Sequence, residues 1–436
     1  MTGLIILLIY IAAFVGSFYF YTYVLRRFFE RADFTSLKTV TFGDESAVKA
    51  NRVASVLSVA TVFLMWVAFT NSWLPLPKAP GPFMGETSFT YTMEAPDGSR
   101  DDATVTVVVF REDLQQLRDA DGNIPSEPKA PTVAPGDGFA RNDALTMKRY
   151  AGKNINVWKN DEFSKADGAK VVAINGQAIA PGEKVSVENG VVSLTEKGTP
   201  RFNPTTGLRM QRLYLPAPEV VWDRFMRLNN EGYQNFTLLE HLWASLSRVI
   251  YGFFFGALAG IPLGYAMGLT NWSRGWFDPI VEFMRPVPPL ALIPLMIIWF
   301  GIGETSKIIL LFLAALWIMA IAGRSGVSGV AIAKVHAAYS LGASKWQILT
   351  KVIIPNSLPE VFTGARVAMG VCWGTVVAAE LVAAEKGLGM MIMVASKFQL
   401  TDIVIVGIIL IGIIGFLIDV GIRWLEKWLV PWKGKV

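Results

Sequence analysis

Few side chains in this sequence of 436 residues could carry out chemistry. The two histidines, His241 and His336, lie far apart in the chain and are too few to suggest a metal site. The single cysteine, Cys372, lies in an apolar run, so an intrachain disulfide is impossible. The sequence contains neither a Gly-x4-Gly-Lys-Ser/Thr phosphate-binding loop nor a Ser-His-Asp arrangement that supports hydrolysis. We therefore expect no enzyme activity, and any ATP that the protein uses must be bound by another chain.

Three side chains in or beside long apolar runs are candidates for a solute pathway, because polar groups are costly inside a membrane. Arg285 and Glu380 fall near the ends of predicted spans, and Trp373 falls near the middle of one. An anionic solute would favour Arg285 and disfavour Glu380. The alternatives are interfacial positions for both charged side chains, with Arg285 extending toward water, and a packed or lipid-facing position for Trp373.

A polar and basic segment at 336–355 separates two runs that are apolar enough to span a bilayer. Small residues recur in it at helical spacing and leave a shallow face for another protein: Ala337, Ala338, Gly342 and Ala343. Gly342 is predicted to end a short helix. Pro355 is predicted to prevent the following helix from running on into the membrane. The alternative is an ordinary cytoplasmic loop in which His336 is a solvated helix residue.

The composition predicts a membrane protein around these residues. Hydrophobic residues make up 52% of the chain, and the mean hydropathy of +0.41 is too high for a soluble domain of this length. The net charge of +5 is modest, lies mainly in loops expected to face the cytoplasm, and gives no reason to expect nucleic acid. About seven transmembrane helices in contact with lipid are predicted, in a multi-pass membrane protein.

The order of the apolar runs defines the predicted topology. Residues 1–25 form an uncleaved first membrane helix, and the basic residues of the cytoplasmic loop 26–52 place the N-terminus outside. A second helix at 53–77 returns outward, and five spans follow after residue 241. The third span carries glycines at every fourth position, which indicates close packing of helices: Gly252, Gly256, Gly260, Gly264 and Gly268.

Residues 78–214 have a different character and are predicted to form a β-rich domain on the extracytoplasmic side. The region is polar and rich in Gly, Pro and Asp, and it is long enough for a small core of its own. Alternating apolar stretches predict these strands: Ser88–Met93, Thr104–Phe110, Asn154–Trp158, Lys170–Ile174 and Val185–Leu194. Turns are expected at three pairs that favour them: Asp97-Gly98, Asn175-Gly176 and Asn189-Gly190.

The segment 336–355 resembles the EAA loop of permease subunits of binding-protein-dependent ABC importers. The family pattern is Glu-Ala-Ala, three residues, Gly, nine residues, Ile, any residue, Leu-Pro. The corresponding residues are, in order, His336, Ala337, Ala338, Gly342, Val352, Ile354 and Pro355. Val352 and Ile354 are conservative departures, whereas His336 removes a carboxylate that would cap or salt-bridge the loop.

Further motifs in the same order are similar to the nitrate, taurine and aliphatic-sulfonate branch of these permeases. They cover the chain from about residue 215 to its end, together with the second span. The motifs are Leu242–Leu246, Gly260–Gly264, Arg285–Pro289, Ile293-Pro294, Trp299–Lys307, Leu341–Gln347, Gly387–Gly389 and Thr401-Asp402.

The resemblance implies an all-α polytopic membrane fold with a type I importer permease core at 215–436. It implies that the permease works by alternating access and that the loop at 324–366 couples it to the ATPase. The expected partners are two cytoplasmic ATPase subunits that bind ATP and Mg, a second permease copy that forms a homodimer with this chain, and a periplasmic substrate-binding protein. The solute implied is a small anion such as nitrate, a sulfonate or taurine.

The family does not account for the first helix or for the domain at 78–214, which we interpret as an insertion at an exposed turn. The inserted domain either docks or shields the binding protein, or it serves stability or assembly. Two other functions stay open: a secondary transporter, and a membrane-anchored periplasmic binding or scaffold protein. A secondary transporter would need coupling-ion groups at mid-membrane, and an anchored scaffold would need only one or two spans.

Overall fold

The computed structural model describes residues 2–25, 28, 52–111 and 126–432. The chain divides into two compact units, Met1–Pro218 and Glu219–Val436. The predicted fold class, a helical membrane protein with a β-rich region, is confirmed. The basic loop predicted at 26–52 and the C-terminal lysines fall almost wholly outside the described residues.

The first unit begins with two helices. Helix α1 covers Thr2–Phe20 and continues into a π-helical turn at Tyr21–Leu25, while α2 covers Arg52–Ala68. The first helix and its turn form an apolar stretch long enough to cross a membrane. Helix α2 has 17 residues and falls short of the roughly 20 that a span requires. The span predicted at 53–77 is therefore helical only in its first part.

The rest of the first unit contains two β-sheets. Their strands are β1 Gly85–Glu94, β2 Arg100–Phe110, β3 Asp143–Lys148, β4 Lys153–Asn154, β5 Lys170–Ile174, β6 Gln177–Ala178, β7 Lys184–Val187, β8 Gly190–Leu194 and β9 Pro200–Pro204. The five-stranded sheet has the order β3-β2-β1-β5-β6, and the four-stranded sheet has the order β4-β9-β8-β7. Neighbouring strands are antiparallel except for β2 and β3, which are parallel.

Most of the predicted strands and turns are confirmed, with one error and three omissions. Asn154–Trp158 is wrong as a strand, because pairing ends at Asn154 and a short 3₁₀ turn follows at Val157–Lys159. Strands β3, β6 and β9 were not predicted, and β6, with two residues, is too short to show any alternation. β3 shows little alternation of buried and exposed positions, and β9 begins and ends with proline. Both therefore lack the pattern by which a strand is recognised.

The core of this unit lies between the two sheets. In β1 the buried residues alternate along the strand, so that Phe89, Tyr91 and Met93 all point to one side. Phe89 stacks on Phe202 of the other sheet with ring centroids 5.8 Å apart. Such a face-to-face contact is how two sheets bury their apolar sides against each other.

The second unit is helical. Its helices are α3 Pro218–Glu231, which begins at the unit boundary, α4 Leu238–Leu269, α5 Asn271–Met284, α6 Ile293–Phe300, α7 Glu304–Ser328, α8 Ile332–Ser340, α9 Lys345–Ile348, α10 Ile354–Ala383, α11 Leu388–Lys397 and α12 Thr401–Leu429. Over the described residues of the whole chain, five helical stretches are long and apolar enough to cross a membrane. The number becomes six when α5 and α6, which meet at 90°, count as one broken span. The predicted count of about seven also includes the shorter α2 and stays a prediction.

The glycines of α4 pack against α7, which confirms the predicted role of the glycine ladder. A Cβ atom at Gly256 would lie 2.5 Å from the Cβ atom of Ala315, and one at Gly260 would lie 2.6 Å from the carbonyl oxygen of Leu316. Any side chain at these positions would therefore push the two helices apart. Close contact of backbones is how helices associate in a membrane without a hydrophobic driving force between them.

Candidate functional site

The first candidate site is the short hairpin of helices α8 and α9, which we call the α8–α9 hairpin (residues 332–348). Helix α8 ends at Ser340, and Gly342 two residues later has a φ of +81°, in the left-handed region. The amide of Ala343 donates to the carbonyl oxygen of Ala338 at 3.1 Å, a bond that closes the end of the helix. The sequence correctly predicted that a glycine would end this helix, because a residue with a Cβ atom is strained in this conformation.

Helix α9 starts at a capping box. The Gln347 amide donates to Ser344 Oγ at 3.3 Å, and the Ser344 amide donates to Gln347 Oε1 at 2.8 Å. The hairpin presents large apolar side chains to its surroundings: Tyr339 is 69% exposed, Leu341 is 88% exposed and Trp346 is 70% exposed. Exposed apolar side chains on a rigid, capped turn are typical of a surface that another protein covers.

Pro355 does not separate the hairpin from the membrane span, contrary to the sequence prediction. A π-helical turn at Leu349–Ile353 joins α9 to α10, and the helix runs without interruption from Lys345 to Leu381. The wider turn matters because proline lacks an amide hydrogen and its ring collides with the preceding turn of a regular α-helix. The amide of Ile354 bonds to the carbonyl oxygen of Leu349, which is the spacing of a π-helix. The prediction was wrong because this local widening accommodates the proline.

The other residues of the predicted coupling loop lie on this hairpin or at its end. His336 and Ala337 are exposed on α8, while Ala338, Ala343 and Ile354 are half-buried. Within the described ranges no group of three or more His, Cys, Asp or Glu side chains is placed to hold a metal ion. The role of these residues in coupling is not tested by their positions and stays a prediction.

The second candidate site is an ionic network built around Arg248 of α4, which we call the Arg248 network. The side chain is 2% exposed and its guanidinium donates four hydrogen bonds. Nε and Nη2 donate to the two carboxylate oxygens of Glu304 at 2.5 and 2.7 Å. Nη1 donates to Glu380 Oε1 at 2.6 Å and to the Lys386 carbonyl oxygen at 2.9 Å. One side chain thus ties α4 to the start of α7, to the end of α10 and to the loop beyond α10.

A second cation completes the charge balance of this network. Lys307 is 4% exposed, and its Nζ lies 3.1 Å from Glu304 Oε1. The two cations, Arg248 and Lys307, face the two carboxylates of Glu304 and Glu380, so the four charges of the network sum to zero. A buried charge that has both an ionic partner and hydrogen bonds avoids most of the cost of leaving water.

Glu380 and two side chains of α4 also cap helix α11. Three consecutive amides at its start donate to side chains of other helices: Gly387 to His241 Nδ1, Leu388 to Ser245 Oγ and Gly389 to Glu380 Oε2, at 3.1, 2.9 and 2.8 Å. The other ring nitrogen of His241, Nε2, lies 3.0 Å from the Tyr233 carbonyl oxygen and therefore carries the hydrogen. These bonds satisfy the amides that a helix start leaves without partners.

The loop between α10 and α11 requires glycine at position 387. Its φ is +141°, and a Cβ atom there would collide with the carboxylate of Glu380.

Beside the network, a cavity of about 430 Å³ opens. It is lined by Leu239, Glu240, Trp243, Ala244, Ser247, Arg248, Glu304 and Lys386.

The three candidate pathway residues have different surroundings. Glu380 is buried in the Arg248 network. Trp373 is 7% exposed, and its indole N–H donates to the Ile411 carbonyl oxygen of α12 at 3.0 Å. Arg285 is exposed at the end of α5, with its Nη1 3.8 Å from the Glu282 carboxylate. The structure does not bring these three side chains together, and their part in a pathway stays a prediction.

Arg248 and His241 were not singled out as site residues from the sequence. Arg248 had a usable signal, because a lone arginine within an apolar run must find a partner inside the protein. The sequence does not indicate which residues are its partners, because Glu304 and Glu380 lie 56 and 132 residues further along the chain.

Comparison with known proteins gives one family match. Residues 256–431 match the family described as "Binding-protein-dependent transport system inner membrane component". The matched region covers the glycine ladder from Gly256 onward, the α8–α9 hairpin, and Glu304 and Glu380 of the Arg248 network.

Two curated relatives and one solved structure show the extent of the similarity. The taurine transport system permease protein TauC of Escherichia coli is 49% identical over 225 residues, which cover 51% of this chain and 82% of the relative. The putative aliphatic sulfonates transport permease protein SsuC of Escherichia coli is 38% identical over 219 residues, 50% of this chain and 82% of the relative. A chain of the MetNI methionine ABC transporter in an inward-facing conformation aligns with 20% identity and a TM-score of 0.39, covering 48% of this chain and 98% of its own.

Proposed function

This chain belongs to the family of binding-protein-dependent transport system inner membrane components, and we propose that its solute is a small organic sulfonate or a related anion. Membership makes the chain a multi-pass permease of the inner membrane and a transport component of an ABC importer, in a family that is not one of enzymes. The observation that carries the choice of solute is the relatives' chemistry: the two relatives described above are named for taurine and for aliphatic sulfonates, and taurine is itself a sulfonate.

The proposed mechanism is alternating access driven by separate subunits. Two permease copies form the pathway, and a periplasmic binding protein delivers the solute. Two cytoplasmic ATPase subunits hold ATP and Mg²⁺. In this proposal the α8–α9 hairpin sits in a cleft of an ATPase subunit, with Tyr339, Leu341 and Trp346 as the contacting side chains. Their exposure supports this assignment, because side chains of this size are commonly the anchors of an interface.

The remaining assignments follow from this arrangement. The hairpin and its flanks at 324–366 face the cytoplasm, and the β-rich region at 78–214 faces the periplasm as an inserted domain. The permease core occupies 215–436. A secondary transporter is not favoured, because the family depends on binding proteins and the α8–α9 hairpin would have no partner.

The test is ATP-dependent uptake of labelled taurine and butanesulfonate into proteoliposomes that contain the permease with its ATPase and binding protein. Leu341→Asp is the informative change, because Leu341 is 88% exposed, so the variant should fold normally and lose only an apolar contact. Burying a charged side chain in place of leucine costs an interface about 2 kcal/mol or more, so we expect ATPase binding to fall at least about 30-fold and uptake to fall with it.

Leu341→Met is the matched control, since it keeps an apolar side chain of similar volume. Equal uptake by Leu341→Asp and Leu341→Met would show that the hairpin does not form the contact with the ATPase. If proteoliposomes with the native chain accumulate nitrate but take up neither taurine nor butanesulfonate, the solute is an inorganic anion and not a sulfonate.

A further inference from the structure

The first unit contains a cavity that the transport mechanism does not use. Its volume is about 560 Å³, which lies within the roughly 300–1,000 Å³ of small-molecule sites. It opens where strand β5, the segment that follows β6 and the turn that follows β8 come together. The lining residues are Trp158, Lys165, Gly168, Ala169, Lys170, Val171, Val172, Ile179, Ala180, Pro181, Leu194, Glu196, Lys197 and Gly198.

The floor of the cavity is apolar. Val171, Ile179 and Leu194 belong to the core between the two sheets and are at most 6% exposed. The ring of Trp158 supplies part of the lining and is half-buried. A ligand that enters would therefore cover hydrocarbon and an aromatic ring, which favours an apolar body.

The rim of the cavity is positively charged. Lys165, Lys170 and Lys197 contribute three charges, and Glu196 is the single carboxylate of the lining, so the rim carries a formal charge of +2. One corner is a connected structure: the ammonium of Lys165 lies 5.3 Å from the centroid of the Trp158 ring and donates a hydrogen bond to the Lys197 carbonyl oxygen. The contact keeps one positive charge beside the aromatic wall.

We propose that this cavity binds a small organic anion, with its apolar part on the floor and its anionic group among the three lysines. An organic cation would be repelled by the rim, and one carboxylate is too few to hold a divalent metal ion. The identification of the natural ligand with the transported sulfonate rests on the proposed function. The existence of the site does not, because its geometry lies wholly within the first unit.

Binding is measured on the full-length chain in lipid nanodiscs, without ATPase or binding protein, at low ionic strength. The probe is 4-fluorobenzenesulfonate, which is followed by ¹⁹F NMR, and 4-fluorobenzylamine is the cationic counterpart. We expect saturable binding of the sulfonate and none of the amine. Low salt matters because exposed charges are screened over about 10 Å at 0.1 M.

Two variants test the position of the site. Lys170→Glu changes the rim charge from +2 to zero at an exposed side chain and should weaken binding at least about tenfold, or 1.4 kcal/mol. Ala180→Trp places a large ring on the exposed lip of the cavity and should weaken binding similarly by filling it. Lys184→Glu is the matched control, because Lys184 is an exposed lysine of the same unit that does not line the cavity, and it should change affinity less than about twofold.

The outcomes separate the site from the transport function. Absence of saturable sulfonate binding at about 10 mM, equal binding of the amine, or equal loss in Lys170→Glu and Lys184→Glu would each overturn the proposal. Saturable binding with the expected pattern of variants in a protein that fails to transport sulfonates would leave the site standing and remove the proposed solute.

Discussion

Replacement of Arg248 by methionine tests the Arg248 network directly. Methionine keeps most of the length and the apolar stem of arginine but removes the guanidinium and its four hydrogen bonds. Glu304 keeps a partner, because Lys307 lies 3.1 Å away, and more than half of its side chain is exposed. Glu380 keeps the bond from the Gly389 amide but loses its ionic partner in a fully buried position. The cost therefore falls mainly on Glu380.

The structure indicates the size of this cost. Removal of one partner from a buried ion pair destabilises a protein by about 3–5 kcal/mol, because a charge is left without compensation. Since 1.4 kcal/mol corresponds to a factor of ten, the helices around the network should open about 100 to 4,000 times more often. Removing both charges in Arg248→Met/Glu380→Gln should recover most of this loss, because the buried carboxylate is then neutral.

The assay uses the single cysteine of the chain. Cys372 lies in α10, is 0% exposed, and its Sγ lies 3.5 Å from the Leu311 carbonyl oxygen of α7. A maleimide can reach this thiol only when the helices separate. When closing is faster than labelling, the labelling rate is proportional to the equilibrium constant for opening. The rates in native, single-variant and double-variant chains then give the free-energy differences directly.

Arg285→Met is the control for this experiment. Arg285 is an exposed arginine whose nearest carboxylate is 3.8 Å away, and exposed pairs of this kind contribute about 0–1 kcal/mol. We expect its labelling rate to stay within about fivefold of the native rate. The reasoning is refuted if Arg248→Met is labelled as slowly as Arg285→Met, or if the double variant is labelled faster than Arg248→Met.

Two further predictions concern the glycine ladder and the β-rich region. Gly260→Ala should raise the labelling rate of Cys372, because the new Cβ atom would lie 2.6 Å from the Leu316 carbonyl oxygen. Gly275→Ala on α5 is the control, since a Cβ atom there meets open space and should leave the rate unchanged. Equal effects of the two changes would contradict close packing as the reason for the glycine ladder. Asp143→Asn should protect the β-rich region from hydrogen exchange more at pH 8 than at pH 5, because burial and the charge of Asp161 raise the pKa of Asp143 to about 7. The folded native chain therefore binds the Asp143 proton more tightly than the unfolded chain does, and it loses stability as the pH rises from about 4 to 7. A difference in protection between Asp143→Asn and the native chain that is the same at both pH values would contradict this assignment.

The sequence predicted those features that depend on neighbouring residues. Gly342 lies in the turn that stops α8, as expected, because its left-handed conformation is a local property of the backbone. The four-residue spacing of the glycines predicted a close helix contact because the spacing repeats along one helix face. The Asn175-Gly176 turn was predicted for the same reason, since both residues adopt positive φ.

Features that join distant parts of the chain could not be predicted in this way. The guanidinium of Arg248 meets carboxylates from two other helices, and no spacing rule connects those positions. The parallel pairing of β2 with β3 requires a crossover, whose course no local pattern describes. The continuous helix through Pro355 was missed for a different reason. It depends on a π-helical turn, and residue types alone do not distinguish such a turn from a helix end.

The positions of the α8–α9 hairpin and the Arg248 network within the helices connect one site to the other. The hairpin is joined to α7 through residues 329–331 and to α10 by an unbroken helix from Lys345 to Leu381. At 1.5 Å per residue this helix is about 55 Å long, with the π-helical turn and Pro355 near its start and Glu380 near its end. Glu304, at the far end of α7, meets the same guanidinium. Because α7 is also held to α4 by the glycine ladder, the junction at Arg248 is where a movement of α10 relative to α4 and α7 must break or exchange hydrogen bonds. A movement of α10 that leaves the two Glu304 bonds in place would therefore have to give up the bond between Arg248 and Glu380 that the structure shows.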